Sequence, residues 1–262
     1  MMAQKWDDLA KRTLSALAMA AVGVVAVWLG GIWFAALAAL ACGVMLWELA
    51  RMLSPTQTHL ALTLAALGGG AVLLGRVLPG SLGYVGVAGP AMVGAALLMR
   101  EKAVFAVYGV AITVAACGLV DFRVTHGAVW LVWLVLVVIA TDVFGYFAGR
   151  MFGGPKFWPR ISPKKTWAGT VAGWVAAGVI GVLFLTFTNA GRDLPWISML
   201  LSLASQMGDI AESAIKRRAG VKDSSSLLPG HGGLLDRFDG LLGASLFMLL
   251  VAQLVYVPEV RF

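Results

Sequence analysis

Apolar residues run along this chain in long blocks, without the strict alternation of a half-buried strand or the narrow stripe of a soluble surface helix. Nine blocks stand out, at about residues 13–29, 31–52, 58–78, 81–99, 103–120, 127–149, 167–188, 195–215 and 240–257. A helix needs about 20 apolar residues to cross the hydrocarbon of a bilayer. The pattern therefore predicts an all-α, polytopic membrane protein with about nine transmembrane helices. The first five blocks are rich in Ala, Val, Leu and Gly and read as scaffold, giving an N-terminal region over 1–126. Blocks six to nine, within 127–262, carry most of the unusual polar residues and border two polar loops, 150–166 and 216–239.

Composition sharpens this picture. Sixty per cent of the 262 residues are hydrophobic and 13% are charged, where soluble domains carry about a quarter. Lipid must be the solvent for much of such a surface. Cys42 and Cys117 lie inside apolar blocks and read as small buried residues, with no disulfide or metal spacing. The start, Lys5, Lys11 and Arg12 followed by apolar residues, has the look of a signal peptide. A second apolar block follows directly after Gly30-Gly31, however, so a retained first span is expected.

Charge gives an orientation. The net charge is +7, from 20 Lys+Arg against 13 Asp+Glu. With the amino terminus inside, only Arg76, Arg123, Arg192 and Arg261 fall on the far side, and the other 16 basic residues face the cytoplasm. So clean a sorting fits the positive-inside rule, and the basic excess is explained by an anionic leaflet without any nucleic acid. It also places both long loops in the cytoplasm. Gly145 and Gly149, like Gly169 and Gly173, have the spacing that lets helix backbones approach closely.

The polar residues of the last four blocks are the candidate chemistry. Ser202, Ser205, Asp209, Glu212 and Lys216 recur at three- or four-residue steps and so share one helix face. A carboxylate inside a span costs about 3 kcal/mol or more unless water, a partner or a metal receives it. Two on one stripe imply a wet cavity; for Glu212 the alternative is an ion pair to Lys216 at i, i+4. Asp142 is expected to face the bundle interior, as part of the site or hydrogen-bonded to a neighbouring helix. In Ser162-Pro163-Lys164-Lys165-Thr166-Trp167, Ser suits an N-cap and Pro the first helical position. This predicts a helix start that binds phosphate, or else an ordinary basic cluster beside the membrane.

The longest polar stretch runs from Lys216-Arg217 through Lys222-Asp223 and Pro229-Gly230-His231-Gly232-Gly233 to Asp236-Arg237-Phe238-Asp239. Its glycines allow close approach of the backbone to a ligand. Asp236 and Asp239, at i, i+3, suit a divalent ion holding phosphates, or could serve as helix-start caps.

This combined motif resembles the signature of phosphatidate cytidylyltransferases (CDP-diacylglycerol synthases). Gln206-Met207-Gly208-Asp209, the Ser162–Trp167 segment and Asp142…Tyr146…Gly149-Arg150 resemble the same family, so motif-level similarity covers about 139–240. Ala168, Ser225, Gly145 and Gly240 are small departures from its usual pattern. The resemblance implies transfer of a cytidylyl group from CTP to phosphatidic acid, giving CDP-diacylglycerol and pyrophosphate. It implies Mg2+ on Asp209 and Asp236, with a second, monovalent cation as an option. It casts Lys222, Asp223, His231, Arg237 and Asp239 as further catalytic residues. Ser162, Lys164, Lys165, Thr166, Lys216, Arg217 and Asp142 would bind substrate. A homodimer in the bacterial inner membrane, with its active site facing the cytoplasm, is the implied setting. A CTP-dependent transferase or kinase for another membrane lipid would share the metal site. A transporter for an anionic solute would need polar groups through the full membrane depth, whereas here they crowd the cytoplasmic half.

Overall fold

A computed structural model of the chain describes residues 17–75, 77, 81–228, 230 and 232–258, apart from the side chains of 81–84. Lys5, Lys11, Arg12, Arg76, His231 and Arg261 lie outside the described residues. Among the described residues the helices are α1 (Leu17–Leu29), α2 (Gly31–Leu53), α3 (Thr58–Gly75), α4 (Ser81–Leu97), α5 (Lys102–His126), α6 (Val129–Phe152), α7 (Trp167–Leu185), α8 (Leu194–Arg218) and α9 (Leu235–Val251). Five of them, α2, α3, α5, α6 and α7, are long and apolar enough to cross a membrane. Helix α8 has the length but carries the polar stripe, and α9 has 17 residues. The predominantly helical membrane architecture thus agrees with the apolar pattern.

Two differences from the sequence reading matter. The last helix begins at Leu235 and ends at Val251, several residues ahead of the 240–257 block at both ends, so Asp236 and Asp239 are helical residues. Residues 150–166 also contain a small antiparallel hairpin, β1 (Lys156–Trp158) and β2 (Ser162–Thr166).

The chain divides into two compact units. One contains the described residues up to Val124 and the segment Ala219–Arg237. Here α2, α3 and α4 pack in sequence, with Leu46 filling the notch left by Gly68 and Phe105 of α5 lying against Gly94 of α4. Arg123 donates to the carbonyls of Val27 (3.0 Å) and Trp28 (3.4 Å) and so satisfies the end of α1.

The other unit contains Thr125–Arg218 and Phe238–Phe262. Helix α7 packs against both α6 and α8. The α6–α7 contact is set by the glycines: a side chain on Gly169 would strike the Gly145 carbonyl, so the close approach expected from small-residue spacing is present. Buried polar bonds fix α8. The Trp133 indole donates to Ser198 Oγ (3.0 Å), Thr141 and Ser202 hydroxyls lie 2.7 Å apart, and the Trp174 indole donates to Gln206 Oε1 (3.1 Å). Gly208 and Gly243 bring α8 and α9 into backbone contact, because a Cβ on Gly208 would meet the Asp239 carbonyl.

Candidate active site

In the second unit, the polar stripe of α8 meets the first turns of α9. Carboxylate oxygens of Asp209, Glu212 and Asp239 all lie within 4.8 Å of one another. Lys165 forms an ion pair with Asp209 and lies 3.5 Å from the Gln206 carbonyl. Lys216 pairs with Glu212, the i, i+4 bridge that was one of the two expectations for that residue. Ser213 donates to Asp209 (3.3 Å), and Asp239 accepts from the Gly240 amide (2.7 Å).

The burial of these pairs differs, and so does their energetic weight. Glu212 is 0% exposed and Lys216 12%, so removing either partner would strand a buried charge at about 3–5 kcal/mol. Lys165 and Asp209 are 25% and 34% exposed, and such a pair contributes about 1 kcal/mol. Three carboxylates against two ammonium groups leave formal negative charge concentrated in a small volume. Hard oxygen donors in that arrangement fit a divalent cation such as Mg2+.

Asp142 interacts electrostatically with Lys165 and Asp209. Its side chain is exposed, however, and does not lie in the packed interior that the sequence suggested. It lies on the stretch of α6 from Asp142 to Phe144, whose residues are exposed.

The Ser162–Thr166 segment is strand and does not open α7. The N-cap is Thr166, whose hydroxyl accepts from the Gly169 amide at 3.2 Å. Residues 162–166 instead pair with the preceding strand, Ser162 opposite Trp158 and Thr166 opposite Lys156, which keeps them extended up to the cap. Lys164 is exposed, Ser162 is half-buried, and Thr166 is buried. Lys165 is the member of this segment that the structure brings to the carboxylate cluster.

The first unit holds the 219–237 segment, and here an unanticipated residue organises the backbone. Glu48 of α2 is 0% exposed. Its Oε1 accepts from Ser225 Oγ (2.6 Å) and the Leu234 amide (2.9 Å), and its Oε2 from the Leu235 amide (2.6 Å). The last two amides belong to the start of α9, whose orphan N–H groups need acceptors. A carboxylate from another helix thus does the work of an N-cap. Charge-assisted bonds of this kind contribute about 1.5–3 kcal/mol each and offset the desolvation of the carboxylate.

Asp236 is held by the same loop. Its Oδ2 accepts from the Ser224 amide (2.9 Å), Ser224 Oγ (2.9 Å) and the Gly233 amide (2.7 Å). Gly232 has φ +83°, and a side chain there would come within 2.7 Å of Asp236 Oδ2. Lys222, Asp223 and Arg237 are exposed on this segment, as Arg217 is at the end of α8. Glu48 lies in a block that sequence reading assigned to scaffold. A lone carboxylate inside an apolar span was the signal that could have found it.

Carboxylates partnered by lysines at the meeting of two helices, in a chain with five helices long and apolar enough to cross a membrane, define the class as a predominantly helical membrane protein. The profile of the Cytidylyltransferase family matches residues 10–255, and the chain belongs to that family. Among similar proteins is the phosphatidate cytidylyltransferase of Brucella abortus, 47% identical over 136 residues, or 51% of this chain and 50% of that one. The phosphatidate cytidylyltransferase of Haemophilus influenzae is 42% identical over 127 residues, 45% of this chain and 44% of its own length. That of Mycobacterium bovis is 40% identical over 134 residues, 50% and 43%. The chain spans about half the length of the curated relatives it matches.

Proposed function

We propose that this chain transfers the cytidylyl group of CTP to phosphatidic acid, forming CDP-diacylglycerol and releasing pyrophosphate. The observation that carries the reading is the convergence of Asp209, Glu212 and Asp239 with Lys165 and Lys216. Family membership and the names of the similar proteins support the choice of CTP and phosphatidic acid.

In the reaction, an oxygen of the lipid phosphate forms a bond to the α-phosphorus of CTP. The bond from that phosphorus to the β-phosphate bridging oxygen breaks, and pyrophosphate leaves with the electron pair. The lipid phosphate is anionic at neutral pH, so the protein need not supply a strong base. Its task is to bring two polyanions together and to balance charge on the leaving group. Lys165 and Lys216 supply positive charge beside the carboxylates. Lys164 adds positive charge along the hairpin and would hold phosphate oxygens together with Arg217, Lys222 and Arg237, and the motif resemblance adds Ser162 and Thr166 as substrate-binding residues. Asp142 would bind substrate, Asp223 would support the ion from nearby, and His231 would orient phosphate or water. Asp209 and Asp239, with Glu212 beside them, would hold Mg2+, and the motif resemblance adds Asp236, one helical turn before Asp239. When bound, the ion supplies positive charge to phosphate oxygens. A second, monovalent cation would serve the same charge balance.

The setting belongs to the same proposal: nine spans in a bacterial inner membrane, the polar loops on the cytoplasmic side, and a homodimer. The region 127–262 would carry the chemistry on a scaffold of 1–126, with the acyl chains staying in lipid. The test uses purified protein in detergent with labelled CTP, Mg2+ and a panel of lipid phosphates. Label is expected in a CDP-lipid when phosphatidic acid is present, with stoichiometric pyrophosphate. Labelling only of a prenyl or other lipid phosphate would reassign the acceptor, and no labelling of any lipid would refute the transferase reading.

A further inference from the structure

We propose that Glu48 is a positioning residue for nucleotidyl transfer, fixing the loop that carries Asp236; the inference rests on the functional reading above. The carboxylate is fully buried, and its bonds reach 177 to 187 positions along the chain to Ser225, Leu234 and Leu235. Leu234 and Leu235 directly precede Asp236, so the atoms Glu48 holds set where the Asp236 backbone begins. Ser224 ties the two carboxylates together. Its hydroxyl donates to Asp236 Oδ2 at 2.9 Å and lies 3.4 Å from Glu48 Oε2. Gly233 leaves no room for slack, since a side chain there would collide with both Ser224 Oγ and Glu48 Oε1. A salt bridge or a hydrophobic residue at position 48 could fill the same space, but neither would accept two backbone amides at a helix start.

Glutamine is the discriminating substitution because it keeps size and shape while replacing one acceptor oxygen with an NH2 group. Two donors would then face each other at Ser225 and Leu234, or at Leu235. Shortening the side chain in Glu48→Asp keeps both acceptors, and Ser225→Ala removes one donor only.

The experiment compares full-length wild-type, E48Q, E48D and S225A proteins in detergent, by amide hydrogen exchange and by steady-state transfer kinetics per folded protein. In E48Q the Ser224, Leu234 and Leu235 amides should exchange about tenfold faster or more, while α6 to α8 keep wild-type rates. Its kcat should fall about tenfold or more with KM for CTP changed less than about threefold. S225A should lie between wild type and E48Q in both measures, and E48D should recover part of the kcat. Wild-type exchange in E48Q would overturn the anchor. Faster exchange throughout the chain, or a loosened loop with unchanged kcat, would make Glu48 a residue of general stability and overturn the positioning role. A wild-type protein inert with every lipid phosphate would overturn the functional reading, and is told apart because the exchange difference would persist.

Discussion

Lys216 and Glu212 illustrate what a single ion pair does in this protein. The pair sits one turn along α8 from Asp209, and Glu212 has no exposure to solvent, so its carboxylate depends on the ammonium group beside it. Lys216→Gln would leave that charge buried and should destabilise the fold by about 3 kcal/mol. A thermal melt in detergent should therefore show a clear drop in midpoint, whereas Lys222→Gln, at an exposed position, should leave it within about 0.5 kcal/mol of wild type. Equal melting of both variants and wild type would remove the pair from the stabilising interactions. The i, i+4 spacing made this bridge legible from sequence. Glu48 was not legible in the same way. Local pattern shows only a carboxylate between Trp47 and Leu49 in an apolar run, while its partners lie far along the chain. Asp142 also differed, because the 3.6-residue period does not say which face of a wholly apolar helix is packed.

Individual elements follow their local chemistry closely, with two instructive exceptions. Blocks of apolar residues became helices, and the glycines at 145 and 169 marked a true helix contact. The hairpin at 156–166 was hidden because Ser-Pro followed by basic residues also describes a helix start. Both readings place Ser162 in extended backbone, and the pairing of 162–166 with Lys156–Trp158 is what separates them. The consequence is measurable. Thr166→Val should cost about 1 kcal/mol and speed exchange of the Gly169 amide, since that amide loses its acceptor. Ser162→Ala should change stability by less than about 0.5 kcal/mol. The reverse order of effects would restore Ser162 as the cap. Helix α9 is a second case: its start at Leu235 depends on acceptors that Glu48 supplies, and no residue near position 235 announces them.

For the molecule as a whole, sequence motifs named the chemistry and apolar blocks named the environment. Tertiary structure added the grouping of the polar residues. Lys165 and Asp209 are far apart in sequence and share an ion pair, and Asp239 lies beside Asp209 and Glu212 where glycines bring α8 and α9 into contact. The segment 219–237 packs with the early helices, which periodicity within that segment could not reveal. The proposed chemistry requires a divalent cation where Asp209, Glu212 and Asp239 converge. The most direct measurement is the rate of CDP-diacylglycerol formation as Mg2+ is titrated, for wild type and Asp209→Asn purified in the same detergent. Wild type should be inactive without the ion and saturate with it, and Asp209→Asn should be slower by about 100-fold or more at every concentration. Wild-type rates and an unchanged Mg2+ requirement in Asp209→Asn would contradict the account.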